Sequence, residues 1–135
     1  LRLIEVGGLA AEMASRIKGR RLFKHAFSIS WDQTSSDLMK LALEDRRSLA
    51  KKLEREVSEE AGLSEEELIV DVPRLPLLEE ADVKVLWNGR IEDFRRVSLL
   101  AEPITGSLRR SWSMGVYCPK EHLEKVRKAS SRLLG

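Results

Sequence analysis

The sequence predicts one α+β domain: a mostly antiparallel sheet of about four to five strands with helices packed on it, in the order α-β-α-β-β-β-α-β-α. Its 135 residues are the length of a single domain, and 42% of them are hydrophobic, which is enough for one core. The spacing of apolar residues alternates along the chain between the helical and the strand period. One tight hairpin turn, Asn88-Gly89, indicates antiparallel pairing.

The first half of the chain predicts helix, strand and helix. Apolar residues recur every four positions over 9–18, which places a stripe on a helix that ends at Gly19. From Arg21 the pattern changes to an extended, partly buried strand of about ten residues. A loop rich in N-cap residues then leads into the longest helix, over 36–61, which Gly62 ends.

The hairpin is the clearest local feature. Strands over 82–87 and 90–95 flank Asn88-Gly89, the pair that best tolerates the positive φ angles of a two-residue type I′ turn. The register that this turn imposes joins apolar residues to apolar residues and acids to bases, and both kinds of pair stabilise antiparallel strands. The expected pairs are Leu86–Ile91, Val83–Phe94, Lys84–Asp93 and Asp82–Arg95.

The other segments predict a strand before the hairpin, and a turn, a strand and a helix after it. Residues 68–72 form a short buried strand, and after the hairpin Pro103 and Gly106 interrupt a short helical turn. Residues 111–118 alternate as a strand with one apolar side. The final helix begins near Lys120, and its inner stripe is Leu123, Val126, Ser130 and Leu133.

Composition and charge limit the class of protein. The 24 basic and 22 acidic residues leave a net charge of only +2, so the overall charge of the chain does not favour nucleic-acid binding. Charged residues reach 34% while side-chain amides are scarce, which is typical of proteins from hot environments. No apolar run approaches the roughly 20 residues that cross a bilayer, and no leader opens the chain. We therefore expect a cytoplasmic protein without a membrane partner, and, because Leu1 is its first residue, a piece of a longer one.

No residues combine into a catalytic or metal-binding motif. His25 and His122 are far apart in the chain, and motifs for zinc, phosphate loops or activated serines are absent. The single Cys118 excludes an internal disulfide and lies on an apolar strand side, so we expect a small buried hydrophobe. We expect three tryptophans in the core or in interfaces: Trp31, Trp87 and Trp112.

The unusual feature is electrostatic. No acid occurs between Glu12 and Asp32, whereas this stretch carries five cations: Arg16, Lys18, Arg20, Arg21 and Lys24. Cations near a helix C-terminus offset the helix dipole, which is one interpretation. The other is a phosphate pocket, because an arginine fork grips phosphate oxygens in pairs, and strand alternation would place Arg20 and Lys24 on one face. The residues alone favour the two interpretations equally.

The same segment resembles a known family. Residues 20–24, Arg-Arg-Leu-Phe-Lys, resemble the Arg-x-Leu-Phe/Tyr-Lys element that follows the catalytic core of HD-domain phosphohydrolases, a family that includes dNTP triphosphohydrolases. Four further short resemblances follow in the family's order: the strand 68–73, the hairpin at 88–89, the turn 98–100 and the strand 114–118. The common order, over about residues 9–130, carries the resemblance.

The resemblance implies a non-catalytic C-terminal domain over 1–135, in which 1–19 end the helical region before it. The family's H…HD…D residues hold a divalent metal; this chain lacks them, so no cofactor is expected here and the metal is implied for the parent's catalytic domain. Implied partners are that HD catalytic domain, further copies in a homo-oligomer, and a regulatory nucleotide. Its phosphates would be bound by Arg20 and Lys24, with Arg21 as a further candidate. The alternative is a stand-alone nucleic-acid-binding module that uses the basic segment 16–24, and an independent small enzyme is the least expected reading.

Overall fold

The computed structural model describes residues 7–74 and 83–135, and within them the chain has the predicted α+β class and order of elements. The helices are α1 (Gly8–Lys18), α2 (Ser36–Ala61), α3 (Ala101–Ser111) and α4 (Leu123–Leu134). The strands are β1 (Lys24–Ser30), β2 (Ile69–Asp71), β3 (Lys84–Trp87), β4 (Arg90–Asp93) and β5 (Ser113–Cys118). Short helical turns join several of these elements, among them Phe94–Val97 between β4 and α3.

In the described residues, five strands divide between two antiparallel sheets. The larger sheet has the order β1-β5-β2, and the β3–β4 hairpin forms a sheet of its own. The last strand of the chain therefore lies between two strands that precede it by many residues. Glu54 of α2 accepts a hydrogen bond from the Val70 N–H at 3.0 Å and so occupies the outer edge of β2.

The core lies between the larger sheet and helices α2 and α4. As the alternation predicts, β5 turns every second side chain into it, and Met114 and Val116 are each only 1% exposed. Burying such a side chain contributes about 1.5–3 kcal/mol. The Trp112 indole N–H donates to the Pro73 carbonyl at 3.3 Å, and Trp31 packs edge-on against Trp112. Two of the three tryptophans thus belong to the core or pack against it, as expected.

Helix α2 has the predicted ends but an unpredicted kink. Ser35 caps it by accepting the Leu38 N–H at 3.3 Å, and Gly62 ends it with a left-handed φ of 66°. At Asp45 the backbone leaves the helical region, with φ −151°, and the carboxylate accepts the Arg47 N–H at 3.0 Å. Asp45 therefore acts as an internal N-cap that restarts the helix. No helix in the described part of the chain, α2 included, is long and apolar enough to cross a membrane.

The hairpin has the predicted register. Leu86 pairs with Ile91 and Lys84 with Asp93, the latter pair also joined by a side-chain ion pair. The Phe94 N–H donates to the Val83 carbonyl at 2.9 Å, which continues the same register. The further pair with residue 82 lies outside the described residues.

Three local predictions were wrong. Helix α3 continues through Pro103 and Gly106, because Pro103 lies in the first turn, where its missing N–H has no intrahelical acceptor to lose. On α4, Leu133 is 43% exposed, and the inner stripe continues through Ala129 and Leu134. Strand β1 begins at Lys24, three residues later than the pattern indicated.

Candidate functional site

A basic cleft lies where α1 ends, β1 begins and β5 ends. It encloses about 320 Å³. The three predicted site residues, Arg20, Arg21 and Lys24, all line it. Three more charged side chains line it with them: Arg16, Lys120 and Glu121. Among the residues that the structure describes, five cations and one carboxylate thus line this small volume.

A tight turn, not strand alternation, brings the predicted residues together. Gly19 donates its N–H to the Ser15 carbonyl at 2.9 Å, and the Arg21 N–H donates to the Arg16 carbonyl at 2.8 Å. Between them Arg20 has a left-handed backbone with φ 53°. The expectation that Arg20 and Lys24 share a face of a strand was therefore wrong, because only Lys24 belongs to β1. The chain reverses at Arg20 and directs both arginines to the cleft.

Arg16, which also lines the cleft, has partners on its own side of it. Its Nε and Nη2 both donate to Oε1 of Glu12, at 3.0 and 2.8 Å. Its guanidinium carbon also lies 5.6 Å from the centre of the Phe23 ring, within the range of a cation–π contact. Arg16 therefore already has an acidic partner, Glu12, in the free chain.

The other four cations of the cleft have no acidic partner in the part of the chain that the structure describes. Within residues 7–74 and 83–135, neither Arg20, Arg21, Lys24 nor Lys120 makes an ion pair or a side-chain hydrogen bond. Unpaired like charges that converge on a concave surface raise the local positive potential and attract anions. The arrangement is therefore suited to a ligand that carries several negative oxygens.

Sequence reasoning missed Lys120. The antiparallel pair Lys24–Cys118 sets the end of β5 beside the start of β1, and Lys120 follows two residues later. No local pattern announces this, because the β1–β5 register joins strands that are distant in the chain. Lys120 lines the cleft together with the arginines of the turn.

The two histidines and the cysteine have contacts that explain them as parts of the fold. His25 packs against the Tyr117 ring with centres 5.4 Å apart, and His122 Nε2 lies 3.2 Å from Oε1 of Glu67. Burial, and secondarily the carboxylate of Glu121, raise the pKa of the Cys118 thiol, which keeps it protonated and unreactive. In the part of the chain that the structure describes, no three His, Cys, Asp or Glu side chains are grouped to hold a metal ion.

Comparison with known proteins gives one family. The family model described as "HD associated region" matches residues 2–135. An uncharacterized protein of Methanocaldococcus jannaschii is 26% identical over 117 residues, which are 85% of this chain and 25% of that protein. The chain thus spans about a quarter of the length of this curated relative. No solved structure matches the chain.

Proposed function

Because the chain belongs to the family of HD-associated regions, we propose that it is the non-catalytic C-terminal domain of an HD-type, metal-dependent phosphohydrolase. In this role it packs on the catalytic HD domain, supports oligomerisation and binds a regulatory nucleotide through its phosphates. The matching family is the associated region and not the catalytic domain, and it covers nearly the whole chain.

Helix α1 is proposed as the element that meets the HD domain. None of its residues is buried, and its Leu9 and Ile17 are 44% and 67% exposed. A helix with apolar side chains on its solvent side gains stability when a second surface covers them. Residues 1–19 would then be the end of the helical region that carries the catalytic core.

The nucleotide proposal depends on one observation, the convergence of four unpaired cations and Arg16 on a cleft of about 320 Å³. Arginine forks bind phosphate oxygens in pairs, whereas lysines act as mobile point charges, and the cleft offers both. A bound polyphosphate would also relieve the repulsion among Arg20, Arg21, Lys24 and Lys120. Binding is therefore expected to stabilise the folded chain.

Melting in the presence of dNTPs or GTP tests this proposal. A ligand that binds only the folded state stabilises it by about 2.7 kcal/mol at a concentration of 100 times its Kd. We expect the melting temperature to rise, and the Lys24→Ala variant to lose most of the rise. Lys40→Ala removes an exposed lysine of α2, outside the cleft, and serves as the matched control. A melting temperature that no nucleotide changes would remove the regulatory part of the proposal.

The packing role has a separate test. We expect the chain, co-expressed with the catalytic HD domain of its own parent protein, to copurify with that domain. Ile17→Asp on α1 should weaken the complex, while Lys24→Ala should not. Failure to copurify would contradict the packing role irrespective of nucleotide binding.

The alternative use of the same cations, nucleic-acid binding through segment 16–24, differs in its salt dependence. Affinity for nucleic acid falls steeply as salt rises, with a slope set by the number of phosphates contacted. The cations converge on one partly open cleft of about 320 Å³, and a volume of this size suits a compact phosphate ligand. Filter binding at two salt concentrations separates the two functions.

A further inference from the structure

The β3–β4 hairpin exposes large apolar side chains. Leu86 and Ile91, which pair across it, are 76% and 75% exposed, and Trp87 is 54% exposed. In the described part of the chain, neither strand pairs with a third. A two-stranded hairpin alone is marginally stable in water, and its open edges are templates for further strands. The hairpin therefore has the properties of an interface.

The outer edge of β4 presents its hydrogen-bonding groups at Ile91. Trp87 and Arg90 flank the two-residue turn, and in such hairpins this flanking pair exchanges its backbone hydrogen bonds within the hairpin. The next residue along the strand then directs its N–H and C=O outward. In β4 this residue is Ile91.

We propose that β4 pairs antiparallel with β4 of a second copy of this chain, about a two-fold axis at Ile91. The two hairpins then form one four-stranded sheet in the order β3-β4-β4-β3. Ile91 lies opposite Ile91 of the second copy, and the two residues exchange backbone hydrogen bonds. Arg90 of each copy lies opposite Glu92 of the other. The inference rests on the oligomerisation part of the proposed function and names its interface.

The charges of β4 select this register and this partner. Two residues that lie opposite each other across antiparallel strands have their side chains on the same face of the sheet. A two-fold axis perpendicular to the sheet keeps each residue on its face, so the residue at the axis must lie opposite the same residue of the second copy. An axis at Arg90, Glu92 or Asp93 would place identical charges opposite each other, which destabilises the pair. Ile91 is the uncharged residue of β4, and the axis at Ile91 creates two opposite-charge pairs.

The two charged residues are available for such pairs. Within residues 7–74 and 83–135, neither Arg90 nor Glu92 makes an ion pair or a side-chain hydrogen bond. Their partners inside the hairpin are Trp87 and Val85, which carry no charge. Exchanging the two charges is therefore expected to leave the hairpin of the single chain intact.

A charge exchange tests the interface. Light scattering and equilibrium sedimentation of the 135-residue chain are expected to show a dimer. Arg90→Glu sets glutamates opposite glutamates twice, so the dimer should dissociate at least tenfold more readily. The double variant Arg90→Glu/Glu92→Arg restores both opposite-charge pairs and should restore the dimer. Arg96→Glu makes the same charge change on an exposed side chain beyond β4 and should have no effect. Circular dichroism confirms that each variant is folded.

The outcomes separate this inference from the proposed function. A dimer that Arg90→Glu leaves intact overturns pairing through β4 but retains the oligomerisation role. A folded double variant that stays monomeric also overturns it. A chain that is monomeric at all concentrations contradicts both, while copurification with the HD domain and nucleotide binding are judged by their own experiments. If Arg90→Glu does not fold, Glu92→Arg poses the same question with the opposite charge.

Discussion

Replacing Arg20 by glycine separates two effects of this residue: the free energy that its left-handed backbone costs the fold, and the affinity that its side chain gives for nucleotide. Arg20 has a φ of 53°, a left-handed conformation that costs a residue with a side chain about 1–2 kcal/mol and costs glycine almost nothing. The substitution therefore relieves this strain, but about 0.5–1 kcal/mol of the gain is lost because glycine makes the unfolded chain more flexible. Removing one of four unpaired cations also lowers their repulsion. The free energy of unfolding of Arg20→Gly should therefore be unchanged or higher by up to about 1.5 kcal/mol.

The same variant should bind nucleotide less well. A hydrogen bond to a charged group contributes about 1.5–3 kcal/mol, so the loss of the Arg20 fork should weaken binding roughly ten- to a hundredfold. Thermal melting without ligand measures the first effect, and calorimetric titration with GTP or a dNTP measures the second. Arg20→Ala is the matched control, because it loses the same guanidinium but keeps the backbone strain. It should bind nucleotide as weakly as Arg20→Gly and have a lower melting temperature than Arg20→Gly.

Two results would refute this reasoning. If the melting temperature of Arg20→Gly were well below that of the unmodified chain, the left-handed backbone of Arg20 would not cost the fold about 1–2 kcal/mol. If its nucleotide affinity were unchanged, Arg20 would not contact the phosphates. A variant that is at least as stable but binds weakly is the expected mark of a residue retained for binding.

Three further variants test the packing and the internal cap. Hydrogen bonds from Ser48 hold the pKa of the Asp45 carboxyl below its usual value. The ionised carboxylate therefore stabilises the folded chain fully above about pH 4, and this stabilisation is lost as the pH falls through the lower pKa of the folded state. Asp45→Asn, which retains a capping side chain, should make the free energy of unfolding in urea less sensitive to acid. Gly115→Ala places a Cβ 2.8 Å from the Tyr117 ring and should cost about 1–3 kcal/mol in thermal unfolding, an effect that shrinks in a Tyr117→Ala background. Leu53→Ala, at a side chain only 2% exposed, should cost about 2–5 kcal/mol in the same assay, and a cost below 1 kcal/mol would contradict its place in the core.

The elements that sequence reasoning predicted well are those whose signals are local. Helix α2 begins after Ser35 and ends at Gly62 because a cap acts within one turn of the chain that carries it. The hairpin register follows from two residues, Asn88 and Gly89, both with positive φ. The alternation along β5 likewise predicted its buried side. Each of these depends on residues only a few positions apart.

Errors arose from packing between distant residues and from local features that the spacing of apolar residues does not reveal. Leu133 fits a helical stripe as well as Leu134 does, but the packing of α4 on the sheet and α2 buries only Leu134. A proline ordinarily interrupts a helix, but α3 begins two residues before Pro103, so the proline lies in the first turn, where a missing N–H costs no intrahelical hydrogen bond. The kink at Asp45 has a local cap, but nothing in the spacing of apolar residues required the helix to restart there.

The candidate site shows the same division. The sequence alone determined the composition of the basic segment, the three candidates Arg20, Arg21 and Lys24, and a resemblance that the family match confirmed. Only the tertiary structure decided that they form a cleft, and that Lys120 belongs to it, because that depends on β1 pairing with β5. Capping and turn energies act over a few bonds, so they can be recognised in the sequence. Pairing between distant strands is decided by the apolar surface that the whole chain buries at once, and no short segment contains that information.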